Sequence, residues 1–347
     1  MKTQSDEYFM KRCIELARLA GSNASPNPMV GAVVVHNGQI IGEGFHHKCG
    51  EPHAEVNAIA SVVDKSLLKQ STIYVSLEPC CHYGKTPPCA DLIIANQIPR
   101  VVVGMQDPFA KVNGMGIKKL RDAGIEVVEN VLRAECEELN HAFITFQQKR
   151  RPYVMLKWAQ TSDGYIDAVR TDNSTAPLLI TDEACRTLVH SWRSESGAIM
   201  VGFNTALLDN PRLDVRNCNG PSPLRIVTDR NLQLPWELHM FDQSQTTWIL
   251  NQLRNENSGN DKRIQFNWDN LFPELMDLLY CVGVNQLFVE GGCKLLQSFI
   301  DAELWDEARV FTAPMQIGRG VAAPKIGGKI ISSENIGDIK LERIMPQ

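Results

Sequence analysis

The chain has 347 residues, 44% of them hydrophobic and 22% charged, with a net charge of -5. That length suits two domains of about 100 to 200 residues, and the absence of a basic run argues against a nucleic-acid binder. No run of about 18 apolar residues is present and Met1–Arg12 has no apolar signal core, so a cytoplasmic protein without a membrane span is expected.

In chain order, Ser5 can cap a helix with Phe9, Cys13, Ile14, Ala17 and Ala20 on one face, ended by Gly21. The apolar runs 30–35 and 40–41 flank Asn37-Gly38, a strong hairpin signal. Gly42 and Gly44 loosen the exit of the second strand. A helix is expected from His53 to about Val63. Thr72 to Leu77 reads as a buried strand that delivers Glu78-Pro79-Cys80 to its C-terminal end. Cys89 opens a further helix. Val101–Gly104 and Ile125–Val128 read as strands with a helix, Gly116–Ala123, between them. The pattern is a mixed sheet with helices on both faces, an α/β fold.

His53, Glu55, Cys80 and Cys89 carry the chemistry. A zinc deaminase needs three protein ligands, an open fourth position for water, and a carboxylate to move protons. His53, Cys80 and Cys89 suit the ligands, and Glu55 suits the proton carrier. The bland alternative is a core histidine, a surface glutamate and two stray cysteines. His47 and His82 are weaker candidate ligands, because neither completes the three-ligand pattern. The other eight of the ten cysteines read as buried or partly buried thiols.

Pro26-Asn27-Pro28-x-Val30-Gly31, His53-Ala54-Glu55 and Leu77-Glu78-Pro79-Cys80-Cys81-His82-x-Gly84-Lys85-Thr86-Pro87-Pro88-Cys89 together resemble the deaminase half of the RibD family of riboflavin biosynthesis. Eight residues separate the two cysteines, where simple cytidine deaminases have a short Pro-Cys-x-x-Cys pair. The resemblance implies a cytidine-deaminase-like α/β/α domain holding one Zn²⁺. Its substrate would be a diaminopyrimidinone bearing ribose 5-phosphate, gripped by Asn27, His46, Lys85 and Thr86.

The run Gln147-Gln148-Lys149-Arg150-Arg151-Pro152 reads as a linker, dividing domains 1–146 and 147–347. Beyond it, Tyr153–Ala159 is an expected strand, Thr161–Gly164 a turn and Thr181–Arg193 a helix. Strands follow at 198–202, 224–228, 246–250 and 286–290, and the last runs into Gly291-Gly292 and an apolar helix. Glycines at such a turn let a phosphate approach a helix N-terminus, although a close-packed turn explains them equally well.

Leu156-Lys157-x-Ala159-x-Thr161-x-Asp163-Gly164, Ile180-Thr181, Gly202-x-x-Thr205-x-Leu207-x-Asp209-Asn210-Pro211-x-Leu213 and Val289-Glu290-Gly291-Gly292 resemble the reductase half of the same family. The resemblance implies a dihydrofolate-reductase-like α/β domain that uses NADPH to reduce the ribosyl group to a ribityl chain. Arg193, Leu213, Arg216 and Glu290 would then line the substrate. Gln160, Leu179, Thr205, Asp209, Arg230 and Gly292 would face the cofactor. Leu179 lies in the region where many members carry a tryptophan, and residues 168–177 look longer than usual. The chain also stops at Gln347 where the family usually adds an apolar strand, so an incomplete or differently built reductase edge is expected. The expectation is a bifunctional enzyme and a homo-oligomer. The rivals are a deaminase with a binding-only second domain, a nucleic-acid-editing deaminase, and a purely structural zinc site.

Overall fold

The computed structural model describes residues 5–81, 87–109 and 113–347. The chain divides into two compact units, Met1–Arg150 and Arg151–Gln347.

The first unit contains α1 (Asp6–Arg18), β1 (Gly31–His36), β2 (Gln39–Phe45), α2 (Ala54–Ser61), β3 (Thr72–Leu77), α3 (Cys89–Ala95), β4 (Arg100–Met105), α4 (Met115–Asp122), β5 (Glu126–Val128), α5 (Arg133–Leu139) and α6 (His141–Lys149). Its five-stranded sheet has the order β2-β1-β3-β4-β5. Pairing is antiparallel from β2 through β3 and parallel from β3 to β5. Asn37 and Gly38 both have positive φ, 50° and 77°, as a two-residue hairpin turn requires. The continuous apolar runs are explained by burial on both faces. Ala32, Val34, Ile73, Val75, Val101 and Val103 enter one core. Val33, Val35, Tyr74, Leu77, Val102 and Met105 enter the other, with α1.

Gly44 does more than loosen a strand end. A Cβ there would lie 2.4 Å from the Ala58 backbone nitrogen, so its absence lets α2 settle directly on β2. The expected linker is also corrected. Gln147, Gln148 and Lys149 belong to α6, whose Phe143 and Phe146 are buried. Lysine and glutamine are good helix formers, and the apolar anchors carry the helix through them.

The second unit contains β6 (Tyr153–Thr161), β7 (Tyr165–Asp167), α7 (Glu183–Glu195), β8 (Ala198–Val201), α8 (Phe203–Asp209), β9 (Leu224–Thr228), β10 (Thr247–Asn251), β11 (Glu256–Ser258), β12 (Asp261–Gln265), α9 (Leu271–Cys281), β13 (Gln286–Gly291), α10 (Cys293–Asp301), β14 (Glu307–Ala313), β15 (Val321–Ala322), β16 (Lys329–Ile336) and β17 (Ile339–Met345). Ten strands form one sheet in the order β11-β12-β10-β9-β8-β13-β6-β14-β17-β16. The seven from β12 to β14 are parallel.

The connection from β6 through α7 leads past β13 to β8. The connection from β13 through α10 leads past β6 to β14. The crossovers run in opposite directions, so a switch point lies between β6 and β13, where open α/β sheets place ligands beyond the strand ends.

Of the two expected alternatives, an incomplete or a differently built edge, the incomplete one is overturned. Glu342–Met345 are part of β17, which pairs antiparallel with β14 on one side and β16 on the other. The last strands were illegible because this hairpin is at the sheet margin. β16 is exposed along most of its length and carries no apolar run to announce it.

Candidate functional site

In the first unit, β3 ends at Leu77 and the chain turns through Glu78 and Pro79 to Cys80. Glu78 fixes that turn. Its buried carboxylate accepts hydrogen bonds from the backbone N–H groups of Asp107 (3.2 Å), Gly114 (2.8 Å), Gly116 (2.9 Å) and Ile117 (3.2 Å). It thereby satisfies donors at the start of α4. A Cβ on Gly116 would sit 2.0 Å from the Pro79 carbonyl oxygen, so only glycine lets α4 approach this turn. Sequence reading quoted Glu78 only as part of a motif. Its structural role depends on donors 29 to 39 residues away.

His53 is the N-cap of α2 and Cys89 is the first residue of α3. With Cys80 they form a group whose ligand atoms all lie within 4.8 Å of one another. The Cys80 and Cys89 sulfurs are 3.6 and 3.4 Å from His53 Nδ1. The Cys89 backbone N–H donates to Cys80 Sγ at 3.3 Å. The hydrogen bond from the Cys89 side chain pushes the Cys80 thiol down to about 4, despite burial. The same interaction, with burial, pushes Cys89 upward. The two thiols therefore oppose one another's ionisation, and a bound cation would relieve that opposition. One imidazole and two sulfurs fit zinc, with a fourth position left for water.

Glu55 is in the first turn of α2 and is 3% exposed. Burial pushes its carboxyl up to about 7, against the opposing pull of His53. Asn27 Nδ2 and His46 Nε2 are 3.0 Å apart, and His46 Nδ1 is 3.2 Å from the Pro52 carbonyl. His46 therefore donates from Nδ1 and accepts at Nε2. Its ring lies edge-on to His53, with centroids 5.5 Å apart. Asn27 and His46 are thus beside the metal ligands. Lys85, Thr86 and His82 lie outside the described residues. His47 is exposed and its ring lies tilted against Phe45, centroids 3.9 Å apart, and it is not part of the ligand group.

In the second unit, a cavity of about 820 Å³ opens at the ends of β6 and β13. Leu179, Thr205, Asp209, Glu290 and Gly292 line it. Gly292 has a φ of 83°, and a Cβ there would lie 3.1 Å from the Thr205 hydroxyl, so the glycine turn and Thr205 form one surface. Arg193 is behind that wall and grips Glu290 through Nε (2.8 Å) and Nη2 (2.5 Å).

The other candidates are not among the lining residues. Leu213 is 1% exposed, in the core. Arg216 pairs with Asp214, and its backbone N–H donates to His190 Nδ1 at 3.4 Å. Gln160 accepts from Trp158 Nε1 at 2.8 Å. Arg230 lies 5.6 Å from the ring of Trp268, which does line the cavity. Sequence reading quoted Lys157 only within a motif and gave it no role, yet it lines the cavity and feels both Glu290 and Arg193. Its signal was a lone cation in the apolar run Tyr153 to Ala159, since buried lysines are rare without a purpose.

Comparison with known proteins decides what these two sites belong to. Residues 3–105 match the cytidine and deoxycytidylate deaminase zinc-binding region, and residues 152–346 match the RibD C-terminal domain. The riboflavin biosynthesis protein RibD of Aquifex aeolicus is 38% identical, covering 97% of this chain and 98% of the relative. The chain belongs to the RibD family. A second member, from Actinobacillus pleuropneumoniae, is 37% identical over 99% of this chain and 96% of its own length. A solved diaminohydroxyphosphoribosylaminopyrimidine deaminase/5-amino-6-(5-phosphoribosylamino)uracil reductase from Thermotoga maritima superposes with a TM-score of 0.90 at 36% identity, covering 99% of each chain. RibD from Acinetobacter baumannii gives 0.87 at 30% identity, again with 99% of each chain covered. As a RibD-family member the chain is a bifunctional deaminase and reductase of riboflavin biosynthesis, with its zinc-binding deaminase region in the first unit. Among the described residues no helix is long and apolar enough to cross a membrane.

Proposed function

We propose that the first unit deaminates a diaminopyrimidinone ribose 5-phosphate and that the second reduces the deaminated product with NADPH. The observation that carries the first reading is the meeting of His53, Cys80 and Cys89 beside buried Glu55. When bound there, zinc supplies a water acidified toward neutrality. Glu55 takes the two protons of the attacking water in turn, giving the first to the ring nitrogen and the second, from the added hydroxyl, to the departing ammonia. A carboxyl held near neutrality by burial suits both directions of transfer. The carbon–oxygen bond forms first, its displaced electron pair taken up at the protonated ring nitrogen, and the carbon–nitrogen bond breaks afterwards as ammonia leaves. His46, with Nε2 committed to Asn27, orients that amide toward the pyrimidine edge.

The cavity at the switch point of the second unit supports the reduction. When bound, NADPH supplies the hydride for C1 of the opened sugar. Gly292 and the N-terminus of α10 suit its phosphates, and Arg230 beside Trp268 suits the 2′-phosphate. Glu290 is ionised. Burial alone would raise its pKa, but the Arg193 and Lys157 charges outweigh burial and lower it. It therefore acts as a hydrogen-bond acceptor for the substrate rather than as an acid.

The test is to supply the diaminopyrimidinone ribose phosphate with and without NADPH and to identify products by mass. Ammonia release without NADPH, and a two-hydrogen gain only with it, are expected. Ammonia release with no NADPH-dependent product would leave the second unit as a binding module.

A further inference from the structure

Residues 168–178 form a strap on the wall of the reductase cavity that neither chemical step accounts for. Arg170 ties it down. Its side chain is only 5% exposed. Nε and Nη2 donate to Asp167 Oδ2 at 2.8 and 2.6 Å. Nη2 also donates to Asp209 Oδ1, the last residue of α8. Nη1 donates to the carbonyls of Thr175 (3.2 Å) and Leu208 (3.1 Å). A guanidinium has five N–H bonds, and these five contacts use all of them. Asp167 Oδ1 accepts the backbone N–H groups of Ala168 and Leu178, both at 2.9 Å, which closes the strap at its two ends.

Two consequences follow from this latch. A saturated guanidinium has no donor left for a phosphate or carboxylate, so Arg170 is not an anion-binding arginine. Two aspartates against one guanidinium also leave this end of the cavity net negative, which disfavours phosphate there. What the strap and the residue that follows it offer is apolar. Val169 is 63% exposed and Leu179 is 69% exposed, and both line the cavity. Exposed aliphatic surface at a cavity wall suits a flat, uncharged ring. The cation also lies against the carbonyl end of α8, where the helix dipole favours it.

We propose that Arg170 is a positioning residue of the reductase site, holding strap 168–178 so that Val169 and Leu179 receive the reduced nicotinamide ring. The proposal rests on the NADPH reading above. It is tested in the full chain with Arg170→Ala and Arg170→Lys, by hydrogen exchange of peptides covering 166–180 without ligand, by NADPH fluorescence titration, and by steady-state kinetics.

In Arg170→Ala, exchange in the strap should rise roughly tenfold or more. NADPH Kd should rise roughly tenfold, while kcat at saturating NADPH stays within about threefold. Deaminase activity should be unchanged. Lysine keeps the charge but not the fork, so Arg170→Lys should fall between. Unchanged exchange, or raised exchange with unchanged Kd, would overturn the proposal. Loss of the reductase unit's thermal transition in both variants would overturn it in favour of a purely structural role. Wild-type protein that binds no NADPH would remove the cofactor reading and this proposal together. Normal wild-type binding matched by both variants would remove this proposal alone.

Discussion

Arg193 and Glu290, 97 residues apart, meet in a two-pronged ion pair of 2.8 and 2.5 Å behind the reductase cavity. The side chains are 12% and 7% exposed, so each charge depends chiefly on the other. Arg193 also donates to the Asp214 carbonyl at 3.1 Å. The arginine is therefore engaged by protein groups, and its effect on catalysis is exerted through the carboxylate it holds.

Arg193→Ala should lower reductase kcat by tenfold or more and not merely raise KM, because it takes from a buried carboxylate its two-pronged partner and leaves only the Lys157 charge. Arg193 helps hold the Glu290 pKa down, so its removal raises that pKa. The acidic limb of the reductase pH profile should then move to higher pH. Steady-state kinetics from pH 5 to 8 checks this, and an unmoved limb would detach Glu290 from Arg193 in function.

Cys89→Ala should abolish stoichiometric zinc, from about one per chain in the wild type, because it removes one of three ligands. Deamination should be lost, while reduction of supplied deaminated intermediate continues. Elemental analysis with paired activity assays reads this out. Full zinc occupancy in the variant would displace Cys89 from the ligand set.

Glu55→Gln keeps size and hydrogen bonding but cannot accept the water's proton. Zinc should remain, and deaminase turnover should fall by roughly a hundredfold or more. The variant should still reduce supplied intermediate with NADPH. Near-normal deamination would take Glu55 out of the mechanism.

Glu307 makes stability depend on acid. Burial raises its pKa, but hydrogen bonds and charges from Arg343 and Arg309 outweigh this and bring it to about 2. Tyr153 also donates to it at 3.0 Å. A depressed carboxyl contributes stability fully above its unfolded pKa near 4.5, and that contribution fades as pH falls toward about 2. Glu307→Gln should destabilise the reductase unit by about 3 kcal/mol at pH 7. Denaturant unfolding at pH 7 and pH 3 should show the gap from wild type shrinking, and a gap that persists undiminished would contradict the linkage.

The deaminase ligands, and the buried glutamate proposed to carry the proton, were legible because they are local. His53 and Glu55 share one helix start, and Cys80 and Cys89 bracket one loop, so residue type and spacing carried the chemistry without knowledge of the fold. The buried strands were legible for a similar reason, since runs such as Val101–Val103 are apolar on both faces. Glu78 was not, because a carboxylate that accepts four backbone N–H groups looks in sequence like any other acid beside a motif. The reductase wall was less legible still. Arg170 and Asp209 are 39 residues apart, as a loop arginine and a helix-end acid, and nothing in either neighbourhood announces the other. Leu213, carried over as a substrate contact, is in the core, while Lys157 on β6 reaches the cavity. The sequence by itself determined the α/β class and the metal donors, because short-range pattern and residue chemistry decide those, and its motifs carried the resemblance that implied the pairing of a deaminase with a reductase. Only the tertiary structure decided which charges neutralise one another and which face the cavity. Those outcomes depend on distances and desolvation between segments that the chain order keeps far apart.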